Sequence, residues 1–226
     1  ARGFWGCVDK AGKTVVPFEY EELLPFREGA APAKKDGRWG LLLKGEREFR
    51  GGVYEEIYPV SEGLARVKVN GKYGYIELSG KEALPPVYAE AFPFSGGFAT
   101  ARLGDKYGFI SRRTLAFKER PYVSIGPYSE DLSHAQPLEA EGRCGYIDQE
   151  GKEIIPANFA MCASFDEGLA PVLKNFSGGW GYIDKTGKGV IAFKYSQAAG
   201  FRGGLARVTR DDRSFYIDQK GVEYRK

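Results

Sequence analysis

Residues 63–77 read Gly-Leu-Ala-Arg-Val-Lys-Val-Asn-Gly-Lys-Tyr-Gly-Tyr-Ile-Glu, and this stretch decides the fold. Its first part, 64–69, is rich in strand-forming residues and ends at Asn70-Gly71, a strong signal for a two-residue hairpin turn. Residues 73–77 are again strand-forming and provide a return strand. The stretch therefore predicts a β-hairpin.

The hairpin sequence recurs along the whole chain at steps of 34, 34, 34, 37, 36 and 34 residues. A series of aromatic residues and a series of Gly-Leu-Ala-type triplets recur along the chain with the same spacing as the hairpins. In the fourth copy we place the triplet at Ser133-His134-Ala135. The repeated dipeptides, mostly aromatic–glycine, are Trp5-Gly6, Trp39-Gly40, Tyr73-Gly74, Tyr107-Gly108, Cys144-Gly145, Trp180-Gly181 and Ser214-Phe215. A period of this length indicates a repeat protein.

A second turn follows several of the hairpins. Its first residue is Asp9, Asp148, Asp184 or Asp218, and a glycine follows three residues later. Aspartate at this position bonds nearby backbone N–H groups, and glycine accepts a positive φ. We therefore predict that these aspartates cap turns. Each unit is then a three-strand meander with an aromatic connector, which buries its apolar face only by stacking on other copies.

The succession of Gly-Leu-Ala-x-Val, an aromatic-Gly-Tyr-Ile-Asp segment and Val-Ile-Pro resembles the bacterial WG (tryptophan–glycine) repeat family. The resemblance covers essentially all 226 residues. Copy four departs from the pattern after Ile110, and copy two has Leu43 where the acidic turn residue is expected. The resemblance implies an all-β repeat protein of bacterial type. The sequence leaves its compartment open, either cytoplasmic or exported after removal of an N-terminal segment. It implies no reaction, because the family is defined by structural repeats.

We expect a single WG-repeat domain over residues 1–226, with hairpins centred near residues 5, 39, 73, 107, 144, 180 and 214. The chain begins and ends on the same hairpin fragment, so its two ends do not complete one unit. This favours an open, solenoid-like or superhelical stack. The alternative is a six- or seven-bladed β-propeller.

Composition excludes several classes of protein. With 42% hydrophobic and 28% charged residues the chain is not disordered. The net charge of +3 is too small to indicate nucleic acid binding, and no apolar run reaches the roughly 18 residues of a membrane helix. Cys7, Cys144 and Cys162 do not form a disulfide framework by their spacing, although two of them could pair in the fold. We expect Cys7 and Cys162 to be unreactive core residues.

The sequence shows no enzyme signature. His134 is the single histidine, which excludes a histidine-based metal cluster, and no G-x-S-x-G motif occurs. Gly12-Lys13-Thr14 resembles the end of a phosphate loop, but Cys7 stands where that loop needs a glycine. We therefore expect no catalysis, no cofactor and no metal. A carboxylate-based hydrolase is the least favoured alternative.

Two sets of residues are candidates for binding. Departures from the repeat pattern cluster in copies four to six, and the partner-binding candidates there are Arg112, Arg113, Phe117, His134 and Phe176. A cation also precedes the dipeptide in five copies, at Arg38, Lys72, Lys106, Arg143 and Arg213. Stacked copies would align these cations into a basic row that attracts an acidic partner.

We predict a monomeric, non-catalytic module that binds a protein partner, as a scaffold, a sensor ectodomain or an effector-neutralising protein. The alternative is a module that binds glycans or the cell envelope, because aromatic-rich β-repeats can stack sugar rings. Exposure of the repeated Trp and Tyr residues separates the two hypotheses: glycan binding requires several of them open to solvent.

Overall fold

The computed structural model describes residues 3–46 and 49–224. Within these ranges the chain forms strands, bridges and turns, arranged as antiparallel sheets that we number 1 to 7 in chain order. No helix in the described ranges has the length and apolar character needed to cross a membrane. The all-β expectation is confirmed.

The strands, grouped by sheet, are: sheet 1, β1 (Trp5–Val8) and β2 (Thr14–Tyr20); sheet 2, β3 (Glu22–Leu23), β4 (Ala30–Lys35), β5 (Arg38–Leu43) and β6 (Phe49–Tyr54); sheet 3, β7 (Glu56–Ile57), β8 (Leu64–Val69), β9 (Lys72–Glu77) and β10 (Glu82–Tyr88); sheet 4, β11 (Glu90–Ala91), β12 (Phe98–Leu103), β13 (Lys106–Ser111) and β14 (Phe117–Glu119); sheet 5, β15 (Tyr122–Ile125), β16 (Ser133–Pro137), β17 (Cys144–Ile147) and β18 (Glu153–Phe159); sheet 6, β19 (Met161–Cys162), β20 (Ala170–Leu173), β21 (Trp180–Ile183) and β22 (Gly189–Tyr195); sheet 7, β23 (Gln197–Ala198), β24 (Leu205–Arg210), β25 (Arg213–Asp218) and β26 (Glu223–Tyr224).

Sheets 2 to 7 each have four strands that neighbour one another in chain order. The sequence pattern predicts three strands and a connector, and the connector itself provides the fourth strand. In sheet 3, for example, Glu56 and Ile57 pair with Lys68 and Val67. Pairing satisfies backbone groups that the connector would otherwise leave without partners.

The glycine of each dipeptide allows the return strand of its own sheet to approach closely. A Cβ on Gly74 would lie 2.7 Å from the carbonyl oxygen of Leu84, and a Cβ on Gly181 would lie 2.7 Å from that of Ile191. The contact is with backbone of the same sheet, because the return strand is irregular opposite the dipeptide.

The hydrophobic core lies between consecutive sheets. We call the first residue of each dipeptide position W. The side chains of the residues two and three positions later, W+2 and W+3, point to opposite faces of the strand. At W+2, Tyr182 packs on Phe201, with ring centroids 5.0 Å apart, in one cluster with Ile217 of sheet 7. At W+3, Ile183 packs in a cluster with Tyr146 of sheet 5. Each buried layer therefore belongs to two neighbouring sheets.

The chain divides into two compact units. The first comprises Ala1–Asp105 with Ile110–Ala116, and the second comprises Lys106–Phe109 with Phe117–Lys226. Sheets 1 to 3 belong to the first unit and sheets 5 to 7 to the second, while residues of sheet 4 contribute to both.

A disulfide joins sheets 5 and 6 in the second unit. It links Cys144 at position W with Cys162 in the next connector strand, and their Cα atoms are 6.1 Å apart. This is one of the pairings that the sequence left open. Cys162 is thus bonded and not a free core thiol, whereas Cys7 is a free, half-buried cysteine packed against Val16 and Tyr20.

Candidate functional site

Sheet 7 exposes one face of its strands. Ala206 and Val208 of β24 are buried on one side, so Leu205 and Arg207 point to the other side, which is open to solvent. In the register of the sheet, Arg207 lies opposite Tyr216, and Tyr216 lies opposite Tyr224. We call Leu205, Arg207, Tyr216 and Tyr224 the terminal face.

The equivalent face is buried in sheets 2 to 6. Tyr216 is 52% exposed, whereas its W+2 equivalents are at most 2% exposed: Leu41, Tyr75, Phe109, Tyr146 and Tyr182. In sheet 6 the next connector covers this position, and the hydroxyl of Tyr182 donates to the carbonyl of Ala199 at 2.8 Å. Tyr216 has the same chemistry in sheet 7, and no residue within 3–46 and 49–224 covers it in that way.

A cavity of about 390 Å³ adjoins the terminal face. Its lining residues are Arg207, Ser214, Phe215, Tyr216 and Tyr224. A smaller cavity of about 180 Å³ lies against Arg207 from the side of Gln197 and Thr209. A guanidinium beside two exposed tyrosines offers charge, hydrogen bonding and apolar area together, a combination enriched where proteins bind each other.

The first unit has a larger cavity, of about 610 Å³, lined in part by Arg27, Glu28, Tyr58 and Ser61. The guanidinium of Arg66 stacks on the ring of Tyr58 at 3.7 Å, and the Tyr58 hydroxyl bonds Glu56. Burial, together with the hydrogen bond to Glu56, raises the pKa of Tyr58 above its ordinary value. The hydroxyl therefore stays protonated at neutral pH and offers no nucleophile.

Asp166 is a carboxyl group with a shifted pKa. Burial raises its pKa, and its side chain packs against the backbone of Gly200. Asp166 lines none of the three cavities above. The shift is thus accounted for first by burial, and the nearby carboxylates of Glu130 and Glu167 raise the pKa further.

Arg112 and Arg113 lie in the turn after β13, in the first unit, with different surroundings. Arg112 donates from Nε to the carbonyl of Glu62 at 2.7 Å, and its own N–H donates to the carbonyl of Gly97 at 2.8 Å. Arg112 therefore ties neighbouring repeats together. Arg113 is exposed.

Phe117 and Phe176 lie in the second unit. Phe117 begins β14 and is half-buried. Phe176 stands in the turn before β21 and is 81% exposed, as expected of a turn tip. The lengthened turn places a large apolar side chain in solvent.

The structure corrects the position assigned to His134. Leu132 forms the bridge with Ser129 that Leu64 forms with Ser61, so Leu132 occupies the leucine position of the triplet and His134 lies two residues later. His134 pairs with Tyr146, as Arg66 pairs with Tyr75. The three-residue lengthening of this copy shifted the sequence alignment.

His134 is enclosed and does not present its ring as an exposed contact. Its ring fills the space above Gly126, where a Cβ would overlap the imidazole. Burial lowers the pKa of His134 below its ordinary value, so the ring is neutral at pH 7. His134 is therefore a packing residue. Phe176, another binding candidate in the second unit, lies on a different segment, in a turn of sheet 6.

All five cations that precede position W are exposed: Arg38, Lys72, Lys106, Arg143 and Arg213. Lys106 forms an ion pair with Glu119 at 2.7 Å, and Arg143 donates to the carbonyl of Asn158 at 2.8 Å. Exposed ion pairs of this kind contribute little to stability. Arg38 and Lys72 belong to the first unit and the other three to the second.

Sequence patterns did not point to the terminal face. Tyr216 matches Tyr75, Tyr146 and Tyr182 in the repeat, so the pattern assigns all four to the core. The pattern contains no signal that separates Tyr216 from its equivalents, because burial depends on what lies against the strand.

Solved structures with similar folds are β-propeller-like. Hsv2 of Kluyveromyces lactis superimposes with a TM-score of 0.56 at 10% identity, covering 88% of this chain and 75% of that chain. Hsv2 of Kluyveromyces marxianus gives 0.56 at 8% identity, covering 85% and 73%. The extracellular domain of a protein described as a one-component system of B. thetaiotaomicron gives 0.51 at 14% identity, covering 96% of this chain and 36% of that chain.

These similarities concern the fold alone and agree with the propeller alternative for the arrangement of sheets. No curated protein is significantly similar to this chain in sequence. The family model for the WG containing repeat matches at 5–39, 52–73, 73–107, 145–175 and 180–213, which together exceed half of the chain. The chain therefore belongs to the family of WG-containing repeat proteins.

Proposed function

We propose that this chain is a non-catalytic module that binds a protein partner through the terminal face. The observation that carries the proposal is the exposure of Tyr216 and Tyr224, at 52% and 53%, beside Arg207 and a cavity. Exposed apolar area of this kind marks interaction sites on soluble proteins.

A protein partner is favoured over a glycan because most of the repeated aromatic residues are covered. Tyr75, Tyr146 and Tyr182 are buried, and Trp39 and Trp180 are half-buried. A glycan array is the direct check on this choice. Among protein-binding roles, a scaffold, a sensor ectodomain and an effector-neutralising protein are all consistent with a binding face at sheet 7.

Arg113 in the first unit, and Phe117 and Phe176 in the second, are further proposed contacts, each taken within its own unit and supported by the exposure of Arg113 and Phe176. The exposed cations before position W in each unit are a third group, for a partner with acidic character. Arg112 and His134 contribute to these sets only by holding their surroundings in place, since both are engaged within the fold.

The test compares variants as bait in affinity capture. The double variant Tyr216→Ala with Tyr224→Ala should lose a partner that the unchanged chain captures, because truncating hot-spot aromatics typically costs at least about tenfold in affinity. Val87→Ala with Val190→Ala, at exposed strand positions outside the proposed contacts, is the matched control and should retain it. Arg113→Glu with Phe176→Ala tests the second group of contacts. Equal capture by the tyrosine variant and the control would remove the terminal face, and loss in the Arg113 and Phe176 variant alone would transfer the site to those residues.

A further inference from the structure

A pair of facing residues lies at the same place in each of sheets 2 to 7. The residue directly after the first strand of the sheet donates its backbone N–H to a carbonyl of the second strand. We call these the connector pairs, and they are Leu24–Pro32, Tyr58–Arg66, Phe92–Thr100, Gly126–His134, Ala163–Pro171 and Ala199–Arg207. Because the same hydrogen bond recurs, the side chains of the pairs can be compared from sheet to sheet.

In sheet 3 the connector pair is a tyrosine and an arginine whose side chains are stacked. The guanidinium of Arg66 lies 3.7 Å from the centre of the Tyr58 ring and 5.2 Å from that of the Tyr73 ring. The Tyr58 hydroxyl donates to the carboxylate of Glu56. Planar guanidinium groups interact favourably with aromatic faces. The arginine of sheet 3 therefore has aromatic partners that its own sheet supplies.

Sheet 7 has the arginine without these rings. Ala199 stands where sheet 3 has Tyr58, and Ser214 stands where sheet 3 has Tyr73. Among the residues that the structure describes, no aromatic ring lies over the guanidinium of Arg207. Both rings of sheet 3 belong to that sheet itself. The difference therefore arises from residues within sheet 7 and not from what precedes or follows it.

A small cavity takes the place of the missing tyrosine. The cavity of about 180 Å³ beside Arg207 is lined by Gln197, Ala198, Ala199, Arg207 and Thr209. The strand pairings align these residues with Glu56, Ile57, Tyr58, Arg66 and Lys68 of sheet 3. The cavity thus corresponds to the space that the Tyr58 ring fills. Its volume is below the roughly 300–1,000 Å³ of pockets for drug-sized ligands, which suits a single ring.

The neighbouring connector pairs of the second unit do not combine a free cation with such a space. The ring of His134 fills the space above Gly126 in sheet 5. In sheet 6, Ala163 stands opposite Pro171, which carries no charge. In the described part of the chain, sheet 7 is therefore the one sheet in which a permanent cation stands opposite a side chain as small as alanine.

We propose that this cavity binds a phenol ring, which stacks on the guanidinium of Arg207 as the Tyr58 ring stacks on Arg66. The phenol hydroxyl lies toward Gln197, which takes the position of Glu56 and offers an amide oxygen as acceptor. The ring comes either from a tyrosine side chain of a polypeptide or from a free phenolic compound. The inference goes beyond the proposed function, because Tyr216 and Tyr224 line the other cavity beside Arg207.

The test is an NMR titration of the full chain with para-cresol, which has the ring and hydroxyl of a tyrosine side chain. We expect saturable binding and an upfield ring-current shift of the Arg207 Nε–H signal, because the guanidinium lies over the ring. Cyclohexanol has the hydroxyl but no aromatic face, so it should bind at least about threefold more weakly. N-acetyl-tyrosinamide separates the sources: tighter binding than para-cresol indicates a tyrosine in a polypeptide, and equal or weaker binding indicates a free phenol.

Two variants of the chain check the place of binding. Ala199→Tyr should fill the cavity with the chain's own ring, as Tyr58 does in sheet 3. It should therefore show the upfield Arg207 shift without ligand and should not bind para-cresol. Ala192→Tyr, at an exposed position of β22, is the matched control and should bind as the unchanged chain does. Circular dichroism verifies that both variants fold.

A third variant checks the stacking. Arg207→Lys should weaken binding of para-cresol about threefold, because an ammonium group does not stack on a ring as a planar guanidinium does. Absence of saturable binding, equal binding of cyclohexanol, preferred binding of acetate, full binding by Ala199→Tyr or loss in Ala192→Tyr would each overturn the proposal.

The outcome is independent of the proposed function. Ala199→Tyr leaves Tyr216 and Tyr224 in place, so a variant that loses para-cresol but still captures the protein partner supports the phenol site and leaves the terminal face standing. If the unchanged chain captures the partner through Tyr216 and Tyr224 but binds no para-cresol, the phenol site is overturned and the proposed function is not.

Discussion

Single aspartate oxygens hold the turns that follow the hairpins. Oδ1 of Asp184 accepts the N–H groups of Thr186 and Lys188 at 2.9 and 3.1 Å, and Oδ1 of Asp218 accepts those of Lys220 and Val222, both at 2.9 Å. Asp9 and Asp148 make the same pair of bonds. The predicted role in turn capping is confirmed.

Asp184→Ala should destabilise the fold at pH 7 by about 0.5–2 kcal/mol, by analogy with the loss of a helix cap. Hydrogen bonds from Thr186, side chain first, lower the pKa of Asp184. Its stabilisation is therefore complete above its unfolded pKa of about 3.9 and is lost as the pH falls through the folded value. Urea unfolding at several pH values should show the two chains converging in acid. Asp105→Ala, at an exposed turn outside this series, is the control and should show no such convergence.

Gly126 and His134 form a matched pair. A Cβ at residue 126 would overlap the enclosed imidazole, so Gly126→Ala should cost about 1–3 kcal/mol of unfolding free energy. Adding His134→Ala should recover part of the loss, because the space above residue 126 is then free. Additive losses in the double variant, measured by chemical denaturation, would contradict the packing described here.

At the level of elements, the sheet with its connector is the building block, and contacts between neighbours join one sheet to the next. Tyr146 of sheet 5 packs on Phe165 with ring centroids 4.9 Å apart, and its hydroxyl donates to the carbonyl of Ala163 at 2.8 Å. The disulfide between Cys144 and Cys162 crosses the same boundary. Sheets 5 and 6 are thus joined by apolar, polar and covalent contacts.

Reduction of this disulfide should lower the stability of the second unit by about 2–4 kcal/mol, as expected for the 18-residue separation it closes. The measurement is denaturant unfolding with and without dithiothreitol. Cys162→Ser should reproduce the loss and make the chain insensitive to the reductant. Thiol counting should find one free cysteine, Cys7, in the unfolded unreduced chain; three would contradict the bond.

On the scale of the whole molecule, equivalent positions of the repeat are buried to the same extent only where another sheet packs against them. Position W+3 is apolar in all seven copies, yet Val8 is exposed and Ile183 is buried. Position W+2 shows the reverse at the other end, where Tyr216 is exposed and Tyr182 is buried. The same residue type therefore has opposite surroundings depending on the sheets beside it.

Ile183→Ala should cost about 2–5 kcal/mol, because it opens a cavity between two sheets. Val8→Ala should cost less than about 0.5 kcal/mol, because the Val8 side chain is about half exposed. Chemical denaturation of both variants checks the difference. Similar losses at the two positions would mean that β1 is covered.

The sequence by itself determined the repeat, the hairpins and the capped turns, because these depend on residues close together in the chain. Asn70-Gly71 specifies its hairpin, and Asp184 with Gly187 specifies its turn, whatever packs around them. The sequence also shows apolar residues at both W+2 and W+3 in most copies, and side chains at these two positions point to opposite faces of the strand.

Only the tertiary structure decided which apolar faces are covered, and with them the candidate sites. Among the described residues, Tyr182 is covered by the connector of sheet 7 and Ile183 by residues of sheet 5, whereas Tyr216 and Val8 are about half exposed. The register of His134 and the pairing of Cys144 with Cys162 also depended on contacts between segments. Local sequence specifies a strand and its two faces, but burial is a property of what lies against them.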